Sequence, residues 1–399
     1  MSRGSSFQPQ LPEKVQSEIM NSKFAAIGLC FCLVVGAGSS LKAQATTPPP
    51  SPSAAPVNPN ASPEARALLK FIDSLSGQHT LTGQHNFPNT KDASTLAAER
   101  AYGKVPVIFG QDFGFAAPGD KDAAAARPAM IAEVERQFAR GSIIALCWHA
   151  VPPTADEPVT FRPRLDGGRT NQNLASVSGR ITDQQWNDVI TPGTALYNHW
   201  CAQVDVIAGY LKQLQAAHVP VLWRPYHEMN GDWFWWGGRR GDRGTKVLYR
   251  QLFDRFVNYH HLDNLVWVWS VDRPARADRQ FVDYNPGTNY FDVAALDVYG
   301  GDFQQSYYDA LLMQAAGKPI TLAEVGPPPS LAVLNRQPDW TWWMTWAGNI
   351  RHSDAVQALF DDPRSFSLSD PAFIKAFAAT RAAYGLPPLT VPTSANATP

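Results

Sequence analysis

Past residue 64 the chain alternates two kinds of hydrophobic pattern. Short runs rich in Val, Ile, Leu and Trp are followed by longer stretches whose apolar residues return every three or four positions. The short runs predict strands at Leu81–His85, Val105–Asp112, Ile143–His149, Val219–Tyr226, Leu265–Val271, Val293–Tyr299, Ile320–Val325 and Trp343–Trp346. The longer stretches predict helices. Between Trp200 and Ala217, for example, Val204, Ile207, Tyr210, Leu211 and Leu214 form one stripe. Eight strands separated by helices predict an α/β fold, the (β/α)8 TIM barrel. The longest stretch without a period runs from Val151 to about Trp186, after the third strand. A loop of that length is usually functional or mobile. In a barrel it lies over the C-terminal face of the strands, where sites are built.

Composition narrows the partners. The chain has 399 residues, with 34 Lys and Arg against 35 Asp and Glu and no basic cluster. That balance argues against nucleic acid and against electrostatic attachment to membranes; a monomer is expected. The 13 tryptophans exceed what a core ordinarily needs, so some are expected to face a groove. Near the N-terminus Lys23 precedes an apolar stretch from Phe24 to Gly38, and Ala43-Gln44-Ala45 offers small residues for cleavage. The stretch is too short to span a bilayer comfortably. Residues 1–45 therefore read as a leader and signal peptide, with Met20 a second candidate for the start. The protein is expected to be secreted or periplasmic, with no membrane attachment once the signal is removed. Residues 46–63, rich in Pro, Ala, Ser and Thr, read as a tether. Residues 64–388 read as the barrel domain and 389–399 as a flexible tail. Cys147 and Cys201 remain in the exported chain. Cys147 shares strand parity with His149, toward the barrel axis, while Cys201 sits on the following helix. A buried free thiol at Cys147 is expected rather than a disulfide.

The stretch from Trp223 to Trp236 carries the chemistry. An apolar strand ends in His227-Glu228, and Trp233, Phe234, Trp235 and Trp236 follow at once. A carboxylate at a strand end beside flat aromatic faces suits a sugar, which offers C–H faces to stack and a glycosidic oxygen to protonate. Glycoside hydrolysis uses a pair of carboxyl groups. Retention of configuration places them about 5–5.5 Å apart, one protonated and one ionised. Glu324, in Pro319-Ile-Thr-Leu-Ala-Glu-Val-Gly326, ends another apolar strand. Strands four and seven face each other across a barrel mouth, so the two glutamates converge although 96 positions separate them. A lone glutamate there would ordinarily be a surface charge, and the sequence does not say which of the pair is the acid. Tyr299 ends strand six, where a phenol can hydrogen-bond a nucleophile, and Asp297 lies on the same strand face. Arg224 and Asp112 face the barrel by alternation and predict an internal polar network. Trp233 is the first candidate to stack on a sugar, with Trp148 and Trp343 or Trp346 as further platforms. His85, His149 and His227 raise the question of a metal. His227-Glu228 is followed by Gly231 and not by a second histidine at zinc-protease spacing, so neither metal nor cofactor is expected.

His227-Glu228-Met229-Asn230, with the tail Trp233 to Trp236, resembles the acid/base motif of glycoside hydrolase family 26, whose best-known members are β-mannanases. Glu324 resembles that family's nucleophile. Gly83-Gln84-His85, Cys147-Trp148-His149 and Leu296-Asp297-Val298-Tyr299 agree with it in order, so that the resemblance spans about Ser76 to Asn349. It implies Glu228 as acid/base, Glu324 as nucleophile and Tyr299 bonded to the nucleophile. It also implies that His149 and His227 contact the sugar beside the cleaved bond or tune the acid/base. The substrate it implies is β-1,4-mannan, glucomannan or galactomannan. A β-1,3-xylanase, a mixed-linkage glucanase and an inactive sugar-binding barrel are the alternatives, with a metallohydrolase more distant.

Overall fold

The computed structural model describes residues 55–117, 121–161, 165–166, 169–170, 175–349 and 352–389. The expected signal segment, most of the tether and the tail beyond 389 lie outside the described residues. Eight strands form the barrel: β1 Thr80–His85, β2 Ile108–Asp112, β3 Ile143–Trp148, β4 Val221–Pro225, β5 Leu265–Asp272, β6 Val293–Val298, β7 Ile320–Val325 and β8 Trp340–Thr345. Each pairs in parallel with the next, and β8 pairs with β1, with Leu81 opposite Trp342, which closes the sheet. All eight expected strands are present. The eighth starts three residues earlier than its apolar pattern suggested, at Trp340. The second begins only at Ile108, just past Pro106, which has no N–H to give a ladder. Among the described residues no helix is long and apolar enough to cross a membrane.

Alternation along the strands divides the apolar residues between two cores. Leu222, Val266, Val268, Ala295, Ala323, Trp342 and Met344 fill the barrel. Their neighbours Val221, Trp223, Trp267, Trp269, Ala294, Leu296, Leu322 and Trp343 pack outward against helices. The helix Ala195–Ala216, capped by the Thr194 hydroxyl on the Tyr197 N–H, buries Val204, Ile207, Leu211 and Leu214 of the expected stripe. Helices Pro63–Leu75 and Pro371–Ala383 extend the inner core past the first residues of the strands, with Phe71 against Phe373 and Phe377. Eleven of the 13 tryptophans are buried, so the tryptophan richness is mostly core.

The tether ends earlier than composition indicated. The Val57 N–H donates to Asp292 Oδ1 at 2.7 Å, and the wholly buried Asn58 donates to the Leu262 carbonyl and to Asp263. Ser62 then caps the helix that Pro63 begins. Proline-rich composition reports the absence of a local core, but these residues borrow hydrogen-bond partners from distant elements. Cys147 and Cys201 are both buried free thiols, as strand parity implied for Cys147.

Candidate active site

Strand β4 ends at Pro225, and the chain then leaves the ladder through two non-glycine residues in the left-handed region, Tyr226 (φ 46°) and Glu228 (φ 50°). Such backbone persists only where surrounding contacts hold it, and it concentrates at functional sites. Here Trp236 donates its Nε1–H to the His227 carbonyl, Tyr226 accepts from Trp200, and Asn230 is bonded to Asp272 on β5. The turn delivers Glu228 almost buried, with its Oε2 accepting from the Trp233 indole N–H at 2.6 Å. Burial first, then the negative charges of Glu324, Asp297 and Asp272, hold the Glu228 carboxyl well above the usual carboxylate range.

Glu324 reaches the site through an irregularity in the sheet. Leu322 and Val325 face the helices and Ala323 faces the barrel, so strict alternation would turn Glu324 outward. Ala295 and Asp297 of β6 stand opposite Thr321 and Glu324 of β7, so β7 carries one extra residue between them. This bulge lets Ala323 and Glu324 both take the inner side, a re-aiming that bulges next to active sites commonly achieve. Glu324 Oε1 accepts from the Tyr299 phenol and Oε2 from Arg224 Nη2, each at 2.6 Å. Arg224 Nη1 donates to Asp297 Oδ2 at 2.6 Å, and Ser270 donates to Asp297 Oδ1. One buried guanidinium thus forks between two carboxyl groups, a geometry arginine provides and lysine does not. Burial foremost, reinforced by Glu324, raises the Asp297 carboxyl even against Arg224. The Tyr299 phenol is raised by burial and by Glu324, so it stays a donor.

A histidine chain flanks the glutamates. Asp112, at the end of β2, accepts from both the backbone N–H and the Nδ1 of His149, the ring at 2.6 Å. Burial alone would raise Asp112, but the charge and hydrogen bond of His149, with the Gly114 N–H, leave its carboxyl lowered. The Nε2 atoms of His149 and His227 lie 3.2 Å apart, and burial, then Arg224, lowers His227 well below the usual histidine value. Phe161, from the long loop after β3, packs against His149 and Phe234. Among the described residues His85 has no hydrogen-bond partner for either buried ring nitrogen, and burial lowers it to about 3. Its ring stacks on Trp346 with centroids 3.8 Å apart and planes 12° apart.

Of the residues expected at the site, the structure brings together Glu228, Glu324, His149, His227, Trp233, Tyr299 and Asp297, and places the half-buried Trp346 beside His149. Trp148 is a correction. It has the opposite strand parity to His149 and points into the helix layer, lining a cavity with Arg127, Val151 and His199. Trp343 is turned outward in the same way. Among the described residues the metal-type donors that lie together are Asp112, Cys147 and His149 rather than the three histidines, and Asp112 already accepts from N–H donors. Arg224 was expected to face the barrel in an internal polar network, and it does so, bonded to Asp297 and directly to the candidate nucleophile. One contributor was not legible. Arg279, whose guanidinium lies over Trp233, carried no sequence signal at all.

The profile described as glycosyl hydrolase family 26 matches residues 57–369. A GH26A structure from Muricauda sp. is 39% identical, covers 78% of this chain and 98% of that one, and superposes with a TM-score of 0.71. A mannan endo-1,4-beta-mannosidase of Thermothelomyces thermophilus is 31% identical over 293 residues, which is 72% of this chain and 56% of that protein. One from Bacillus subtilis is 28% identical over 82% of this chain and 89% of its own length. The chain spans about half the length of several curated relatives that it matches. Two glutamates carried to a barrel mouth on β4 and β7, and a family profile covering the whole barrel, make this chain a member of glycosyl hydrolase family 26.

Proposed function

We propose that the protein hydrolyses β-1,4-mannosidic bonds in mannan, glucomannan or galactomannan with retention of configuration. The observation that carries the mechanism is the difference between the two glutamate environments. Glu324 has a donor on each oxygen, a guanidinium on one side and a phenol on the other, which suits an attacking carboxylate. Glu228 is buried among negative charges that keep its proton on, which suits a general acid. In the first step a Glu324 oxygen bonds to the anomeric carbon as Glu228 gives its proton to the departing glycosidic oxygen. In the second, water gives a proton to Glu228 and displaces Glu324 from the same carbon. The mannan preference is supported by the relatives named as mannan endo-1,4-beta-mannosidases; His149 and His227, whose Nε2 atoms lie 3.2 Å apart, are the groups assigned to read the C2 hydroxyl. Export belongs to the same proposal, since a polymeric substrate has to be met outside the cell.

The test is kinetic and stereochemical. Glu228→Ala is expected to lose turnover on mannan, retain the first step on an activated aryl mannoside and recover with azide. Glu324→Ala is expected to lose both reactions. Product NMR should show the retained anomer first, and inversion would overturn the two-glutamate assignment. Faster turnover of xylo- or gluco-oligosaccharides than of the matched manno series would move the substrate to β-1,3-xylan or mixed-linkage glucan and leave the mechanism standing.

A further inference from the structure

We propose that Arg279 is a positioning residue for Glu228, acting through the indole of Trp233. The inference rests on the reading of Glu228 as the acid/base. Arg279 ends the short turn Ala277–Arg279 after β5, and its guanidinium carbon lies 4.8 Å from the Trp233 ring centroid. The guanidinium donates to Asp232 at 2.7 Å, and the Arg279 carbonyl accepts from Asn230 at 3.0 Å. The turn is therefore stitched to the residues on either side of Gly231. On that glycine a β-carbon would stand 2.4 Å from Cζ2 and Cη2 of Trp233, so the backbone packs directly on the six-membered ring.

The indole is thus held by a cation, a glycine backbone and its own hydrogen bond to Glu228 Oε2. With those contacts made, the ring face under Arg279 is closed to a sugar. A cation over an indole is attracted by the ring's negative face and draws on its electron density, which strengthens the N–H as a donor. That donor fixes one oxygen of Glu228, favours the ionised form left after proton transfer, and leaves the other oxygen to face the leaving group. The charges around the pair are Glu324, Asp297 and Asp272 facing Glu228, and Asp232, Asp272 and Asp278 facing Arg279. Arg276 stands 3.5 Å from Asp232, and Arg224 lies beyond Glu324.

The test is the pH profile of kcat/KM on a manno-oligosaccharide. Arg279→Ala is expected to lower kcat/KM about three- to tenfold, the size of a partly desolvated cation–π contact, and to move the alkaline limb to higher pH. Arg279→Lys should restore most of both. The glycosylation step with an activated aryl mannoside should hardly change. In a Trp233→Phe background, which lacks the N–H, Arg279→Ala should move the limb no further. An unmoved limb with equal loss on both substrates would overturn the proposal, as would a full shift in the Trp233→Phe background. Arg279→Gln, which removes the charge but can still donate to Asp232, supplies the same comparison if the alanine variant melts early. Wild-type turnover of mannan by Glu228→Ala would instead overturn the acid/base reading itself.

Discussion

At the scale of single residues, the site depends on how one guanidinium is shared. Arg224 is buried between Asp297 and Glu324, and a buried charge is tolerable only when its partners are in place. Arg224→Met would leave two buried carboxyl groups facing each other. It is expected to cost about 3–5 kcal/mol of stability, read by urea unfolding, along with activity. Arg224→Lys keeps a charge but donates from one point, so it should fold and yet lose about a hundredfold in kcat through misplacement of Glu324. Glu228 sets a second expectation. Its carboxyl is raised and, as the proposed acid, it must be protonated for the first step, so activity is expected to be lost as pH rises through that raised value. The alkaline limb of kcat/KM should lie well above the ordinary carboxylate range, and a limb near pH 4–5 would contradict the assignment.

At the scale of elements, the ends of strands do the placing. β4 ends in a strained turn and β7 in a bulge, and each brings one glutamate inward. The N-terminal segment shows the reverse case, a stretch without periodicity that is nonetheless part of the fold. Removing residues through 54 is expected to leave melting and activity unchanged. Removing them through 62 also takes the Val57 donor from Asp292, the buried Asn58 and the Ser62 cap. That deletion should cost at least about 1–3 kcal/mol in a denaturation series. Asp292 adds a pH signature. Burial raises its carboxyl to about 6, above the unfolded value near 3.9. Its favourable contribution is then present below about pH 4 and lost as pH rises through about 6. The stability of the native protein relative to Asp292→Asn should fall across that window.

At the scale of the whole molecule, a closed barrel leaves little free volume on its axis. A β-carbon on Gly110 would stand 2.4 Å from the Met344 sulfur, the far end of a flexible side chain. Gly110→Ala should cost about 1–3 kcal/mol by overpacking, and Met344→Val in the same chain should recover much of it. Gly83 differs, because its β-carbon would meet the Trp343 carbonyl at 2.6 Å. No side-chain change relieves a backbone clash, so Gly83→Ala is expected to remain destabilised beside Met344→Val. Comparison of unfolding midpoints for the single and double variants checks both.

The sequence by itself determined the strand–helix alternation, the count of eight strands, and the two glutamates at the ends of the fourth and seventh. These are local quantities: period, apolar content and order along the chain report how each segment is buried. Parity also carried His149 and Cys147 to the inner side, and it argued equally for turning Trp148 away once its strand was known. What only the tertiary structure decided are the relations across the barrel. Arg224 finds Asp297 and Glu324 at 73 and 100 positions' remove, Val57 finds Asp292, and Arg279 settles over Trp233. The inward turn of Glu324 belongs here too, because a bulge is a mismatch between two strands and neither strand's pattern contains it. Periodicity says that a polar residue faces inward; which charge it meets there depends on the register in which eight separate strands close.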